Sequence, residues 1–133
     1  MAPKKALSYN NIPLNQKWNI INKDSENGPN YIDFELPSDV STAFVCKCDL
    51  AAYFLTQKLQ LSGYHVPDDI SVISFDNTEI SKSCNPPLTT VDINKKEFAE
   101  KAFDQLMSRI ENPDEPAQKL YIHTEIIVRD SVK

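Results

Sequence analysis

Glycine is nearly absent from this 133-residue chain, which holds Gly28 and Gly63 and no others. A loop that wraps phosphate groups with its backbone amides needs several glycines within a few residues. Nucleotide enzymes built on such loops are therefore excluded. Cysteine is scarce and odd in number, with Cys46, Cys48 and Cys84, a poor framework for a secreted disulfide fold and a better match to a reducing compartment. No apolar run approaches the roughly 18 residues of a membrane span. The start, MAPKKALSYNN, lacks the apolar core of a secretory signal. Together these absences imply a cytoplasmic protein with no membrane partner. Basic clusters are also missing. Lys and Arg total 14 against 19 Asp and Glu, a net charge of -5, so contact with DNA would release few counterions. The chain by itself is not expected to hold DNA.

What is present is enough apolar material for a core, 41% of a chain about one domain long, arranged as alternating strands and helices. Residues 18–21 (WNII) and 31–34 (YIDF) read as short strands around the polar loop NKDSENGPN. The run TAFVCK is β-rich, and Asp49 stands where a helix N-cap would accept a first-turn amide. A helix is expected over 50–62, with Ala52, Leu55 and Leu59 on one face and Gly63 as its stop. The strand ISVISF follows and ends at Asp76-Asn77. Two strands joined by one helix form a βαβ unit with parallel strands and a right-handed crossover. A second helix should open on Asn94 with Glu97 closing a capping box, and Phe98, Ala102, Leu106 and Ile110 share a face of it. Asn112-Pro113 ends that helix, and a last strand is expected over 120–128.

In an open parallel α/β sheet, ligands bind beyond the carboxyl ends of the strands. FVCKCD and ISFDN both end there, so Lys47, Cys48, Asp49, Asp76 and Asn77 are the candidate ligand-binding residues, a set suited to a polar, sugar-like molecule. The plainer readings make Asp49 a helix cap and Asp76 a solvated turn residue. A zinc site would need four converging ligands, and Cys46-x-Cys48 would have to recruit Cys84 and a distant His65 or His123. No metal and no cofactor are expected. Side chains two apart on a strand stand roughly 6 to 7 Å apart, too far for a disulfide between Cys46 and Cys48. Cys46 reads better as a small buried hydrophobe. A nucleophile would need a base within reach, and neither histidine is placed for it, so catalysis is not expected.

Three ordered motifs, Val66-Pro67-Asp68-Asp69-Ile70-Ser71-Val72, Phe75-Asp76-Asn77 and Pro87-Leu88-Thr89-Thr90-Val91, make residues 41–132 resemble the C-terminal part of the lactose repressor family of bacterial transcription regulators. The resemblance extends more weakly over ALSYNNIPLNQKWNI. It implies an α/β fold: a Rossmann-like parallel sheet flanked by helices, a fragment of the type I periplasmic-binding-protein-like architecture in which two subdomains hinge around a small effector. In that family effector binding changes the operator affinity of a separate helix-turn-helix headpiece. By position Asp76 matches the acidic residue that bonds effector hydroxyls. Cys48 stands where most members carry an asparagine that touches the effector, and a thiol is a weaker donor and acceptor than an amide. Ser74 replaces the glycine common before the aromatic residue.

The resemblance also implies that residues 1–87 and 119–133 lie mainly in the C-terminal subdomain, while 88–118 cross to the other one. The apolar runs TAFVCK and ISVISF mark both strands as interior, with a central neighbour expected outside this chain. The functional expectation is an effector-sensing domain for a sugar or related small polar ligand, with operator DNA reached only through a headpiece absent from this chain, and a homodimer as the assembly. A solute-binding protein of the same fold serving a transporter is the first alternative. An unrelated small α/β enzyme is the second.

Overall fold

The computed structural model describes residues 2–13, 24–25, 28–29 and 34–133. The strand expected at 18–21 and most of that at 31–34 lie outside the described residues, and Phe34 is in neither helix nor strand. The chain divides into two compact units, Met1–Thr42 and Ala43–Lys133. In the first, helix α1 (Ala2–Tyr9) goes beyond the sequence expectations. It ends where Asn11 takes a left-handed φ of 57°, which asparagine tolerates better than most residues, while Asn10 Nδ2 donates to the Ala6 carbonyl at 2.8 Å. Strands β1 (Asp24–Ser25) and β2 (Gly28–Pro29) pair antiparallel.

The second unit carries the expected βαβ motif. Strand β3 (Ala43–Val45), helix α2 (Asp49–Leu61) and strand β4 (Ser71–Phe75) follow in order, and the two strands are parallel with Phe44 opposite Val72. Helix α2 forms because Ala52, Leu55 and Leu59 recur on one stripe, and all three are buried. It stops at Gly63, whose φ of 88° disfavours any L side chain even though a Cβ there would meet no atom within 4 Å. The amides of Gly63 and Tyr64 close the end on the carbonyls of Gln60 and Leu59, both at 3.0 Å. Strand β4 turns Val72 and Ser74 inward by its alternation. With Phe44, Leu55, Leu59, Ile70 and Leu88, Val72 forms the core. Each such side chain taken fully from water contributes about 1.5 to 3 kcal/mol.

After β4 come a short helix α3 (Glu79–Ser83), also beyond the expectations, strand β5 (Thr89–Asp92), helix α4 (Lys95–Glu111) and strand β6 (Glu125–Ile127). The sheet order is β3-β4-β5-β6, and it corrects two expectations, the all-parallel sheet and the length of the last strand. The sheet is mixed, because β6 runs antiparallel to β5 with Glu125 opposite Asp92. The last strand is shorter than 120–128, since residues 120–124 join no ladder. TAFVCK is an edge strand among the described residues, with Val45 59% exposed. Thr89, Thr90 and Val91 pair with Ile73, Ser74 and Phe75. Helix α4 opens as expected: Asn94 Oδ1 accepts from the Glu97 amide at 3.2 Å and Asn94 Nδ2 donates to Glu97 Oε2 at 3.1 Å. None of its residues is buried.

The C-terminal segment is stitched to the sheet by Ser131, which is fully buried. Its hydroxyl donates to the Val72 carbonyl at 2.6 Å and accepts from the Thr89 amide at 2.8 Å. One side chain thus ties β4, β5 and the end of the chain together.

Candidate functional site

Strands β3, β4 and β5 are mutually parallel neighbours, so their carboxyl ends open on one side of the sheet, where ligands of such folds sit. Cys46, Lys47 and Cys48 follow β3, Asp76 and Asn77 follow β4, and Asp92 closes β5. The sequence expectation placed five of these neighbours, counting Asp49, at one mouth. The structure gives them different surroundings.

Asp49 is fully buried and is not the cap of α2. Cys48 holds the N-cap position in extended backbone and makes no side-chain cap bond, while Asp49 is the first helical residue. Freed from capping, its carboxylate reaches across the sheet. Ser74 Oγ and Thr90 Oγ1 donate to Oδ1 at 2.6 and 2.7 Å, and the Thr78 amide and Oγ1 donate to Oδ2 at 2.6 and 2.8 Å. Four donors saturate the acceptor sites of an ionised carboxylate. Burial pushes its pKa up, but these bonds from Ser74, Thr90 and Thr78 outweigh burial and hold it below the usual value of 3.8. Asp49 thus ties α2, β4, β5 and the start of α3 together.

Asp76 and Asn77 form a turn of two left-handed residues, with φ of 100° and 45°. Such backbone in a non-glycine residue is strained and persists only where its surroundings enforce it. The Asp76 amide donates to the Val91 carbonyl at 2.9 Å, and Lys95 Nζ donates to the Asp76 carbonyl. Among the described residues the Asp76 carboxylate takes no hydrogen bond. Asn77 is the opposite case. Its Nδ2 donates to Asp92 Oδ2 at 3.1 Å and its Oδ1 accepts from Arg129 Nη2 at 2.7 Å, so both ends of the amide serve the protein.

Lys47 is exposed and Cys48 partly exposed at the end of β3. The three cysteines are free thiols. Burial, with a smaller contribution from Cys48, pushes the Cys46 thiol up to about 12, so it stays protonated at neutral pH and is a poor nucleophile.

An open pocket of about 430 Å3 lies beside the turn, lined by Asn77, Asp92, Asn94, Lys95, His123 and Glu125 among others. Of the expected candidates it contains Asn77 alone. Carboxylate acceptors and an ammonium donor around one cleft suit a neutral ligand rich in hydroxyl or amide groups. Asp92, Lys95 and Glu125 were not singled out from the sequence, and His123 was weighed there as a metal ligand or base rather than as a pocket residue. The antiparallel return of β6, which sets Glu125 opposite Asp92, has no local signature that could have revealed them.

Residues 4–132 match the family of periplasmic binding protein-like domains. Over 133 residues the chain is 35% identical to the HTH-type transcriptional repressor PurR of Vibrio vulnificus, covering 98% of this chain and 40% of that protein. Among solved structures it resembles a putative LacI transcriptional regulator from Bacillus cereus subsp. cytotoxis, with 29% identity, a TM-score of 0.68 and coverage of 73% of this chain and 34% of that one. It also resembles a LacI family regulator, CCPA, from Weissella paramesenteroides with bound glucose, at 32% identity and a TM-score of 0.58, covering 68% of this chain and 31% of that one. The chain thus spans about 40% of the length of the repressor it matches. No helix among the described residues is long and apolar enough to cross a membrane. A parallel βαβ core with its mouth at the carboxyl ends of β3 to β5, and a family match over nearly every residue, lead to one assignment: the chain belongs to the periplasmic-binding-protein-like family of LacI-type transcriptional regulators and covers a fragment of their effector-binding domain.

Proposed function

We propose that this chain is the effector-sensing part of a bacterial LacI-type regulator, binding a small polar ligand at the mouth and passing the occupancy of that site to operator affinity. The observation that carries this reading is Asp76, a carboxylate held on a strained turn at the end of β4 with no hydrogen bond among the described residues. A half-buried acceptor with no donor from the protein among the described residues is suited to ligand hydroxyls. Cys48 and Lys47 follow β3, whose carboxyl end lies on the same side of the sheet as that of β4, and Asn77 and Asp49 act through the protein, not on the ligand. A sugar is the favoured effector class, in keeping with the glucose held by the Weissella regulator. Operator DNA would be reached through a helix-turn-helix element such as the repressor relatives are named for, in a cytoplasmic homodimer. Helix α4, with none of its residues buried, belongs in this reading to the second half of the effector-binding domain. The naming of the relatives as repressors favours a regulator over a transporter's solute-binding protein and over an enzyme.

The test is ligand-induced thermal stabilisation over a panel of pentoses, hexoses and nucleobases, followed by calorimetry on the responding compound. Asp76→Ala should weaken binding by about 1.5 to 3 kcal/mol, the worth of a hydrogen bond to a charged group. Unchanged affinity for the responding ligand would remove Asp76 from the site. Cys48→Asn gives a second readout. It should leave the melting temperature near that of the parent and shift the order of preference within the panel, because an amide both donates and accepts where a thiol does either weakly. An identical preference order would show that Cys48 does not face the ligand.

A further inference from the structure

Arg129 lies beyond β6, 52 positions from Asn77 in sequence, yet its guanidinium sits at the back of the ligand turn. Nη2 donates to Asn77 Oδ1 at 2.7 Å, while Nη1 donates to the Leu88 carbonyl at 2.7 Å and to Ser81 Oγ at 3.2 Å. The Arg129 backbone is fixed as well, through its amide to Thr89 Oγ1 at 2.9 Å and its carbonyl from the same hydroxyl at 3.1 Å. The guanidinium only donates and the Asp92 carboxylate only accepts, so the Asn77 amide bridging them has one chemically allowed orientation. That orientation matters because Asn77 and Asp76 both hold left-handed backbone, a state a free turn would leave.

We propose that Arg129 is a positioning residue for the ligand mouth: through Asn77 and Asp92 it locks the Asp76-Asn77 turn so that the Asp76 carboxylate is presented ready-made to the effector. The inference rests on the proposed effector role of Asp76. The geometry also gives it a regulatory side. Asp92 ends the strand that leads out to α4, and Arg129 follows the strand that leads back, so the bridge joins the ligand turn to the outgoing and returning segments at once. A shift of either segment would be felt at Asp76, and a ligand held by Asp76 would resist that shift.

Two variants separate positioning from mere stability. Arg129→Lys keeps the charge but loses the planar fork that serves Asn77, Leu88 and Ser81 together. Asn77→Gly keeps a residue content with positive φ while cutting both side-chain bonds. Without any ligand, amide exchange followed by nuclear magnetic resonance should show the Asp76 amide, bonded to Val91, exchanging about tenfold faster or more in each variant, with the amides of Leu55 and Leu59 in α2 unchanged. With the responding ligand, each variant should weaken binding by about tenfold or more. The double variant should lose no more than the weaker-binding single one, because both act through one bridge. Asp76 exchange equal to that of the parent in both variants overturns the proposal whether or not a ligand is known. If no panel compound binds the parent while the Asp76 amide still responds, the positioning stands and the effector reading falls. If Asp76→Ala loses ligand and the Arg129 and Asn77 variants do not, the effector reading stands and the positioning falls.

Discussion

Asp49→Ala is expected to lower the melting temperature by roughly 15 °C, the product of about 3 kcal/mol and the few degrees per kcal/mol typical of a domain of this size. Ser74 and Thr90 are fully buried and donate to Oδ1, and Thr78 donates to Oδ2 through both its amide and its hydroxyl. Each buried donor stripped of its acceptor costs about 1 to 3 kcal/mol. Asp49→Asn should cost about half as much, because the amide oxygen still serves Thr78 and the hydroxyls can turn to accept from the new NH2. The pH dependence has a definite sign. A carboxyl whose folded pKa lies below its usual 3.8 adds stability at pH values above 3.8, and loses it as the pH falls through the folded value. The gap in stability between the parent and Asp49→Asn should therefore be constant from pH 7 to about 5 and close below 3.8. Thermal unfolding by circular dichroism checks both points. A melting temperature for Asp49→Ala within about 2 °C of the parent, less than half of one kcal/mol, would mean the four bonds do not act together.

The second large effect is association of the isolated chain. Helix α4 leaves Phe98, Phe103, Leu106 and Ile110 exposed at 56, 62, 58 and 64%. Among the described residues strand β3 is an edge with Val45 in water, and β6 is the other edge with Ile126 61% exposed. Covering a large apolar side chain yields about 1.5 to 3 kcal/mol, so four on one helix amount to a gain comparable with the 5 to 15 kcal/mol that holds a whole domain together. Sheet edges bearing apolar residues add unpaired amides and carbonyls that template pairing. Sedimentation equilibrium at micromolar concentration should show dimers or larger species, and Leu106→Glu with Ile110→Glu should shift the distribution toward monomer. A cooperative monomer melting above about 60 °C, at or beyond the usual mesophile range, would show that the chain closes its own core.

Much of the local architecture was legible in the sequence. Helices α2 and α4 are found within a residue of the expected bounds, because an apolar stripe and Gly63 define α2 and the Asn94 cap opens α4, all within one or two helical turns. The ordered motifs around Asp69, Asp76 and Leu88 pointed to the family that the whole-chain match shows. Even strand β3 was found in place, and among the described residues it is an edge, as a strand whose neighbour was expected outside this chain would be. A strand buried on two sides and a strand awaiting a partner share one composition, and only the ladder distinguishes them.

The positions of the candidate residues were legible in the sequence, and their hydrogen-bond partners were not. Asp76 sits at the end of β4 as expected, and the strained turn that holds it was not visible in FDN. Asp49 looked like a cap because an acidic residue ahead of an apolar run satisfies that pattern, while its actual partners lie 25, 29 and 41 residues away. Asn77 looked like a ligand contact, and its amide is taken by Asp92 and by Arg129, 15 and 52 residues on. The sequence alone therefore determined helices α2 and α4, the Asn94 cap and the family, since each depends on interactions that close within a few residues or on motifs kept in order. Tertiary structure alone decided which carboxylate is saturated and which is open, because a buried charge is defined by donors that only folding brings to it.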